Sequence, residues 1–493
     1  MNFADENNRN TLLDRELLLG AVAGKLIGPP DRDVRFTSVV TDSRNAVPCS
    51  LFVPLVGTVQ DGHIYIPQAL EKGASVIFVG RSEYESSPKI YDRLAAENSG
   101  TAFICVGNTL RALQQAAGAY VGCFPELIKI GITGSSGKTT TKELAVSVFS
   151  RKYNVVATKG NLNSETGLPL SVFNIRARHE VGIFEMGMNR VGEIGEIASV
   201  LRPEYGIITN VGTAHIGILG SRKNIAAEKR KLFGYIPPEG AAFVPASDDF
   251  RDFLAENVRG KVVEFGPDVP EPVSGVRFVM DCGLDGTVFT LDGTEIRLPL
   301  PGMYNYSDAL AVVACAREIG IPAPLIKEGI EDVRAVSGRM ERLRTVLADG
   351  KSVTVIKDCY NANPDSMEKA IEFCSGIGCA GRRIFVLGDM LELGASSVQA
   401  HSDIGRKILE FSPDCVIFIG KEMQAAAGIV MSGGAGVDMM CLADPSDDSI
   451  ARAAEKILSV ADEESVILLK GSNGMNLSRI MPLIGASDAD GGN

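Results

Sequence analysis

Residues 131–141 read GITGSSGKTTT, a glycine-rich turn, one lysine and a run of threonines whose shared chemistry is the handling of phosphate. Glycines let backbone N–H groups close on phosphate oxygens at a helix N-terminus, where the helix dipole favours an anion. Gly134, Ser135, Ser136, Gly137, Lys138, Thr139 and Thr140 form the candidate cradle for ATP. In such a loop the lysine reaches the β- and γ-phosphates and the first threonine hydroxyl ligates Mg²⁺. The general phosphate-loop pattern has a glycine five positions before Gly137, where this chain has Ile132, so the stretch is a tighter variant than that of a generic nucleotidase.

The loop needs a strand before it and a helix after it. Residues 127–132 alternate as a buried strand, and residues 142–149 carry Leu144 and Val148 at helical spacing. Three further side chains could complete an ATP–magnesium site. Glu185 ends the strand-like run VGIFEMG, where a carboxylate would face the loop and hold Mg²⁺. His215 follows another strand run in TNVGTAHIG, and Lys229 lies in AAEKRKLF. By position alone such a glutamate is more often a solvated rim residue, such a histidine a hydrogen-bonded structural one, and such a lysine a solvated helix residue.

The 493 residues correspond to three domains at about 150 residues each. The first unit, 1–126, has strand-like runs at 51–55, 75–79 and 102–106 and a helical stretch at 109–121. The second, 127–336, holds the loop, strands at 181–184 and 205–208, and a β-rich patch at 275–300 where DGT and DGTE mark tight turns. In the third, 337–484, strand runs at 353–356, 384–387, 416–419 and 466–469 alternate with helical segments, the order of a parallel doubly wound sheet. Residues 485–493, GASDADGGN within 485–493, are expected to be a disordered tail. The fold class is α/β throughout: a small α/β unit, a phosphate-loop ATPase unit and a Rossmann-like unit.

A net charge of −12 argues against nucleic acid and against docking on an anionic membrane. The ten cysteines show no CxxC pair and no metal-ligand spacing, as expected in a reduced, cytoplasmic compartment. The N-terminus lacks the pattern of a signal peptide, and no apolar run approaches the roughly 20 residues that cross a membrane. A cytoplasmic monomer is the expectation.

Several blocks occur in a telling order: TGSSGKTTTKE, KGNLNSETGLPLSV (159–172), FEMGMNRVGEIGEIA (184–198), RPEYGIITNVGTAHIG (202–217), LPLPGMYNYSDALAV (298–312), DCYNANPDSMEKAI (358–371), VLGDMLELG (386–394) and LLKGSNGM (468–475). Together they resemble the Mur ligase family of cell-wall peptide synthetases. TDSR at 41–44 and DGH at 61–63 resemble that family's UDP-sugar unit, so the likeness runs from about residue 37 to 480. The YNANPDSM and VLGDMLELG blocks resemble the branch that joins D-alanyl-D-alanine to UDP-N-acetylmuramoyl-tripeptide.

The resemblance implies three α/β domains and an acyl-phosphate mechanism, with Lys138 on the phosphates and Thr139 and Glu185 serving a first Mg²⁺. It implies His215 at a second Mg²⁺ and Lys229 carbamylated by CO₂ into a carboxylate-like ligand. Asn161 and Asn163 would lie near nucleotide and substrate, Asn305 and Asp308 on adenine, and Arg339 on the nucleotide from the domain junction. Asp358, Tyr360, Asn361 and Asn363 would close the C-terminal unit onto ATP and the dipeptide, while Ser43, Arg44 and His63 would contact the UDP part. For these polar loop residues, turn and cap chemistry is the plainer reading.

Three positions depart from the family pattern. Tyr304 replaces the usual His or Phe, Asp308 replaces an Asn, and Asn473 stands where KGSR has its arginine. An ionised Asp308 would only accept hydrogen bonds where an amide also donates. A sister ligase adding a diamino acid to the dipeptide form, or a non-catalytic nucleotide-binding regulator, are the alternatives. YNANP argues against the first, and the retained Lys138, Thr139, Glu185, His215 and Lys229 against the second.

Overall fold

The computed structural model describes residues 11–485 except 58–59, 268–272 and 435. Apart from Gly485, the expected tail lies outside the described residues. Four sheets follow one another along the chain. The first runs, in spatial order, Lys25–Ile27, Ala102–Val106, Val76–Gly80, Ser50–Phe52 and Ser38–Val40, parallel except for the first pair. The second is six-stranded and wholly parallel: Lys261–Phe265, Ala241–Pro245, Tyr205–Ile208, Ile128–Thr133, Val181–Glu185 and Val155–Ala157.

Strand alternation explains why this sheet is covered on both faces. Ala241 and Phe243 enter one core with Ile130, Ile132 and Val181, while Ala242 and Val244 enter the other with Phe184 and Ile208. The strand Ile128–Thr133 is central, so the loop that follows it emerges at the middle of the carboxyl edge, where open α/β sheets bind ligands. The helix after the loop begins at Lys138, not 142, and runs to Phe149. Its first turn is the loop's own KTTT, whose polarity hid the start from a reading based on apolar spacing.

The β-rich patch is a three-stranded antiparallel sheet, Val276–Asp281, Thr287–Leu291 and Thr294–Leu298. Asp292 and Gly293 form its tight two-residue turn with φ of +51° and +82°, the region such hairpins demand.

The last sheet runs Glu341–Val346, Ser352–Asp358, Val466–Lys470, Arg383–Gly388, Cys415–Ile419 and Asp438–Leu442. It is parallel except for its first strand. Ile384 and Val386 pack on one face and Phe385 and Leu387 on the other, so it is doubly wound as expected. The antiparallel edge was not legible because ERLRTV alternates half-buried and exposed residues and buries no full face. No described helix is long and apolar enough to cross a membrane.

Candidate active site

The carboxyl edge of the central sheet, the three-stranded sheet and the C-terminal unit enclose a cleft of about 1090 Å³, enough for a nucleotide and part of a second ligand. Gly134, Ser135, Ser136 and Gly137 bend between strand and helix. A Cβ at Gly134 would lie 1.8 Å from the Thr209 hydroxyl, and one at Gly137 (φ +79°) 2.4 Å from Asp308 Oδ1. Only glycine fits either place.

The N–H of Ser135 donates to the Asn210 carbonyl (3.1 Å) and that of Ser136 to Asn210 Oδ1 (3.1 Å). These two amides, expected on phosphate, thus brace the loop. The first helical N–H groups, at Lys138 and Thr139, have no intrahelical partner to lose and remain for an anion. Lys138 Nζ folds back on the Gly134 carbonyl at 2.8 Å. Thr140 also lines the cleft.

Glu185 is buried, and both of its oxygens are aimed by neighbours. The Thr139 hydroxyl donates to Oε2 (2.8 Å) and the Asn163 amide to Oε1 (2.7 Å). The solvated-rim reading therefore fails. Asn161 lines the same cleft. Among the described residues no group of three His, Cys, Asp or Glu side chains could hold a metal. A cation here would draw on the Thr139–Glu185 pair and on phosphate oxygens, a donor set that suits Mg²⁺.

Lys229 is 1% exposed. No hydrogen bond or ion pair reaches its Nζ among the described residues, because neighbouring Glu228 is spent on the N–H groups of Gly192 (2.9 Å) and Ile194 (3.0 Å) and on Lys231 (2.6 Å). Burial first, then repulsion from Lys138, holds its ammonium well below the usual lysine range. It is not a solvated helix lysine. The shift is toward the free amine, the form that adds CO₂. His215 sits at φ +63° with Nδ1 3.0 Å from Glu392 Oε2, though without hydrogen-bond alignment. Burial, then the charge of Lys138, lowers its basicity.

The far wall belongs to the nucleotide-side and C-terminal candidates. Asn305 is buried and donates to the Pro301 carbonyl at 2.7 Å. The Arg339 guanidinium stacks 4.1 Å over the Tyr360 ring, with Nε buried and unpartnered. Asp358 pairs with Lys470 at 2.6 Å, and Lys470 also reaches the Asn361 carbonyl at 3.3 Å. Asn363 caps the helix Pro364–Gly376 in a capping box with Ser366, so its side chain is already employed in the plainer role. Tyr304 lines the cleft with its hydroxyl unpartnered.

Asp308 corrects one expectation. Its carboxyl has no ion-pair partner within reach among the described residues, and burial pushes it well above the usual carboxylate range, against the opposing effects of Thr141, Lys369, Lys138 and Arg339. Once protonated it both donates and accepts, as the amide it replaces does. As pH rises through its folded value, an anion forms beside the phosphate loop. The KM for ATP is therefore expected to rise with pH in the native protein and to stay flat in Asp308→Asn. An equal slope in both proteins, measured by steady-state kinetics across the pH range in which the protein stays folded, would contradict this.

The UDP-side candidates are not part of this cleft. Ser43 donates to Gln68 Oε1 (2.6 Å), and Arg44 pairs with Asp42 (2.7 Å) on the surface. His63 is buried, with Nδ1 2.5 Å from Asp61 Oδ1 and Nε2 accepting from the Gly80 N–H at 2.9 Å. Both of its ring nitrogens are committed, so it shapes the DGH turn and has none left for a ligand. Sequence reasoning missed Lys470, Glu392 and Asp365. Lys470 ends a strand run as Glu185 does, which was a usable signal. The other two reach the site only through tertiary packing.

A phosphate-loop ATPase unit facing a Rossmann-like unit across one cleft defines the class. Two family models match: the Mur ligase middle domain over residues 132–316 and the Mur ligase glutamate ligase domain over 338–473. The chain belongs to the Mur ligase family. It is 41% identical over 475 residues to the UDP-N-acetylmuramoyl-tripeptide–D-alanyl-D-alanine ligase of Treponema pallidum, covering 96% of this chain and 99% of that one. The crystal structure of MurF from Acinetobacter baumannii superposes with a TM-score of 0.82 at 28% identity, covering 96% and 98%. A MurF ligase from Thermotoga maritima in complex with ADP gives 0.74 at 23% identity, a likeness of fold, covering 91% and 96%.

Proposed function

We propose that the chain is an ATP-dependent amide ligase that adds D-alanyl-D-alanine to UDP-N-acetylmuramoyl-tripeptide in peptidoglycan precursor synthesis, acting as a cytoplasmic monomer. The observation that carries this reading is an oriented Thr139–Glu185 pair at the phosphate loop, with a buried lysine, Lys229, close enough to feel the charge of Lys138. A mere nucleotide-binding regulator has no use for such a lysine, which is costly to bury.

In this reading residues 1–126 hold the UDP end through Ser43 and Arg44, with His63 shaping the turn. Residues 127–336 hold ATP, and residues 337–484 close over it and bring the dipeptide. A terminal carboxylate oxygen of the tripeptide attacks the γ-phosphorus, and the bond to ADP breaks. The dipeptide amine then attacks the acyl carbon, the C–O bond to phosphate breaks, and one proton leaves. Lys138 and the first helical N–H groups balance charge on the phosphates, while Asn161 and Asn163 orient nucleotide and carboxylate.

Thr139 and Glu185 would hold one Mg²⁺, and His215 with carbamylated Lys229 a second; when bound, the ions neutralise repulsion between the two anions. Asn305, Asp308, Arg339, Asp358 and Tyr360 surround the nucleotide, and Asn361 and Asn363 set the C-terminal face toward the dipeptide. Lys470, paired with Asp358, is a cation on the wall where Asn473 lacks one. The test is phosphate release with Mg²⁺ and ATP, with the tripeptide nucleotide and the dipeptide present singly and together. Release that needs both, with pentapeptide product by mass, is expected; release with neither, or none at all in bicarbonate buffer, would overturn the assignment.

A further inference from the structure

The segment 209–217, which follows the strand Tyr205–Ile208, is bonded on two sides. Toward the phosphate loop, the Thr209 hydroxyl (2.5 Å) and Asn210 amide (3.0 Å) donate to the Ser136 carbonyl, and the Gly212 N–H donates to the Ser135 hydroxyl (2.9 Å). Toward the C-terminal unit, the N–H and hydroxyl of Thr213 both donate to one oxygen of Asp365, Oδ2, at 2.6 and 2.7 Å. Two residues on, His215 meets Glu392, both with left-handed φ, +63° and +66°. Then Gly217 packs against the backbone of 392–394 so closely that a Cβ would lie 2.6 Å from the Glu392 carbonyl oxygen.

Asp365 is the second residue of the helix Pro364–Gly376, where an acidic side chain ordinarily serves its own helix end. Here it reaches across the cleft instead. It packs tightly on Gly212, where a Cβ would lie 2.4 Å from Oδ2. Charge-assisted bonds of this length are the strong kind, and they join the phosphate loop to the helix that begins just after Asn361 and Asn363.

We infer that Asp365 is a positioning residue: by holding Thr213 it clasps the C-terminal unit to the strap that braces the phosphate loop, so that the dipeptide-facing wall is set in register with ATP. The assignment of the wall to the dipeptide rests on the function proposed above; the clasp itself does not.

Asp365→Ala is expected to raise the KM for D-alanyl-D-alanine and lower kcat by about tenfold each, while equilibrium binding of an ATP analogue alone changes less than about twofold. Asp365→Asn, which keeps an acceptor oxygen, should recover most of the activity. Thr213→Val, which keeps the N–H bond to Asp365, should show part of the defect of Asp365→Ala, and the double variant no more than Asp365→Ala alone. Hydrogen exchange separates failure of the clasp from failure of the proposed reaction. In Asp365→Ala, amides around 213–217 should lose protection while those of 130–137 keep it, whatever substrate the protein uses. Unchanged protection at 213–217, additive defects in the double variant, or an unrecovered Asn variant would overturn the inference.

Discussion

Replacing Lys138 by methionine is expected to lower kcat by about 10³-fold or more, with ATP still bound. The lysine sits at the N-terminus of the helix Lys138–Phe149, beside the Thr139–Glu185 pair, and its nearest partner is only the Gly134 carbonyl. Transfer to a carboxylate brings two anions together, and the barrier is largely the charge that must be offset as they meet. Burial, only partly countered by Glu185, lowers the basicity of this ammonium, so the fold gives up stability to keep it there. Methionine fills the same space without the charge, and the thermal midpoint should not fall. Activity within tenfold of the native protein would show that another cation carries the γ-phosphate.

Lys229→Met should be nearly as damaging to turnover, and it should make the protein more stable. Burying a lysine is costly, and methionine removes the amine at similar volume. The sign of the pH effect follows from the direction of the shift. Lys229 is held well below 10.5 in the fold. Between the folded value and 10.5 the unfolded chain binds more protons than the folded one, so stability of carbamate-free native protein rises with pH across that window and is flat below it. The variant lacks this slope. If the amine is the acceptor of CO₂, native turnover should also fall in CO₂-depleted buffer and return with bicarbonate. A variant that is both active and less stable would contradict the role.

What the sequence disclosed was whatever it encodes locally. The phosphate loop was legible because glycine placement, lysine and threonine are contiguous. Glu185 could be placed because strand ends are predictable from apolar runs. The NPDS stretch at 363–366 carries its own helix-start signal, a capping asparagine followed by proline. Lys229 had no local signal, since burial of a helix lysine is decided by what packs over it. Asp308 read as an acceptor-only anion because its exposure was unknown, and enclosure against Gly137 reverses that reading. His63 could not be told from a ligand because its partners, Asp61 and the Gly80 N–H, meet it only in the folded sheet. Asp365 and Thr213 lie 152 residues apart, beyond any periodicity.

The central claim is that a carboxylate is phosphorylated before an amide forms. UDP-N-acetylmuramoyl-tripeptide carrying ¹⁸O in both oxygens of its terminal carboxylate tests it in one turnover with ATP and D-alanyl-D-alanine. One ¹⁸O should appear in each inorganic phosphate released and one should remain in the new amide, as read by mass spectrometry of both products. Unlabelled phosphate, with amide formed, would mean that the oxygen bridge to phosphorus never existed and would contradict the account.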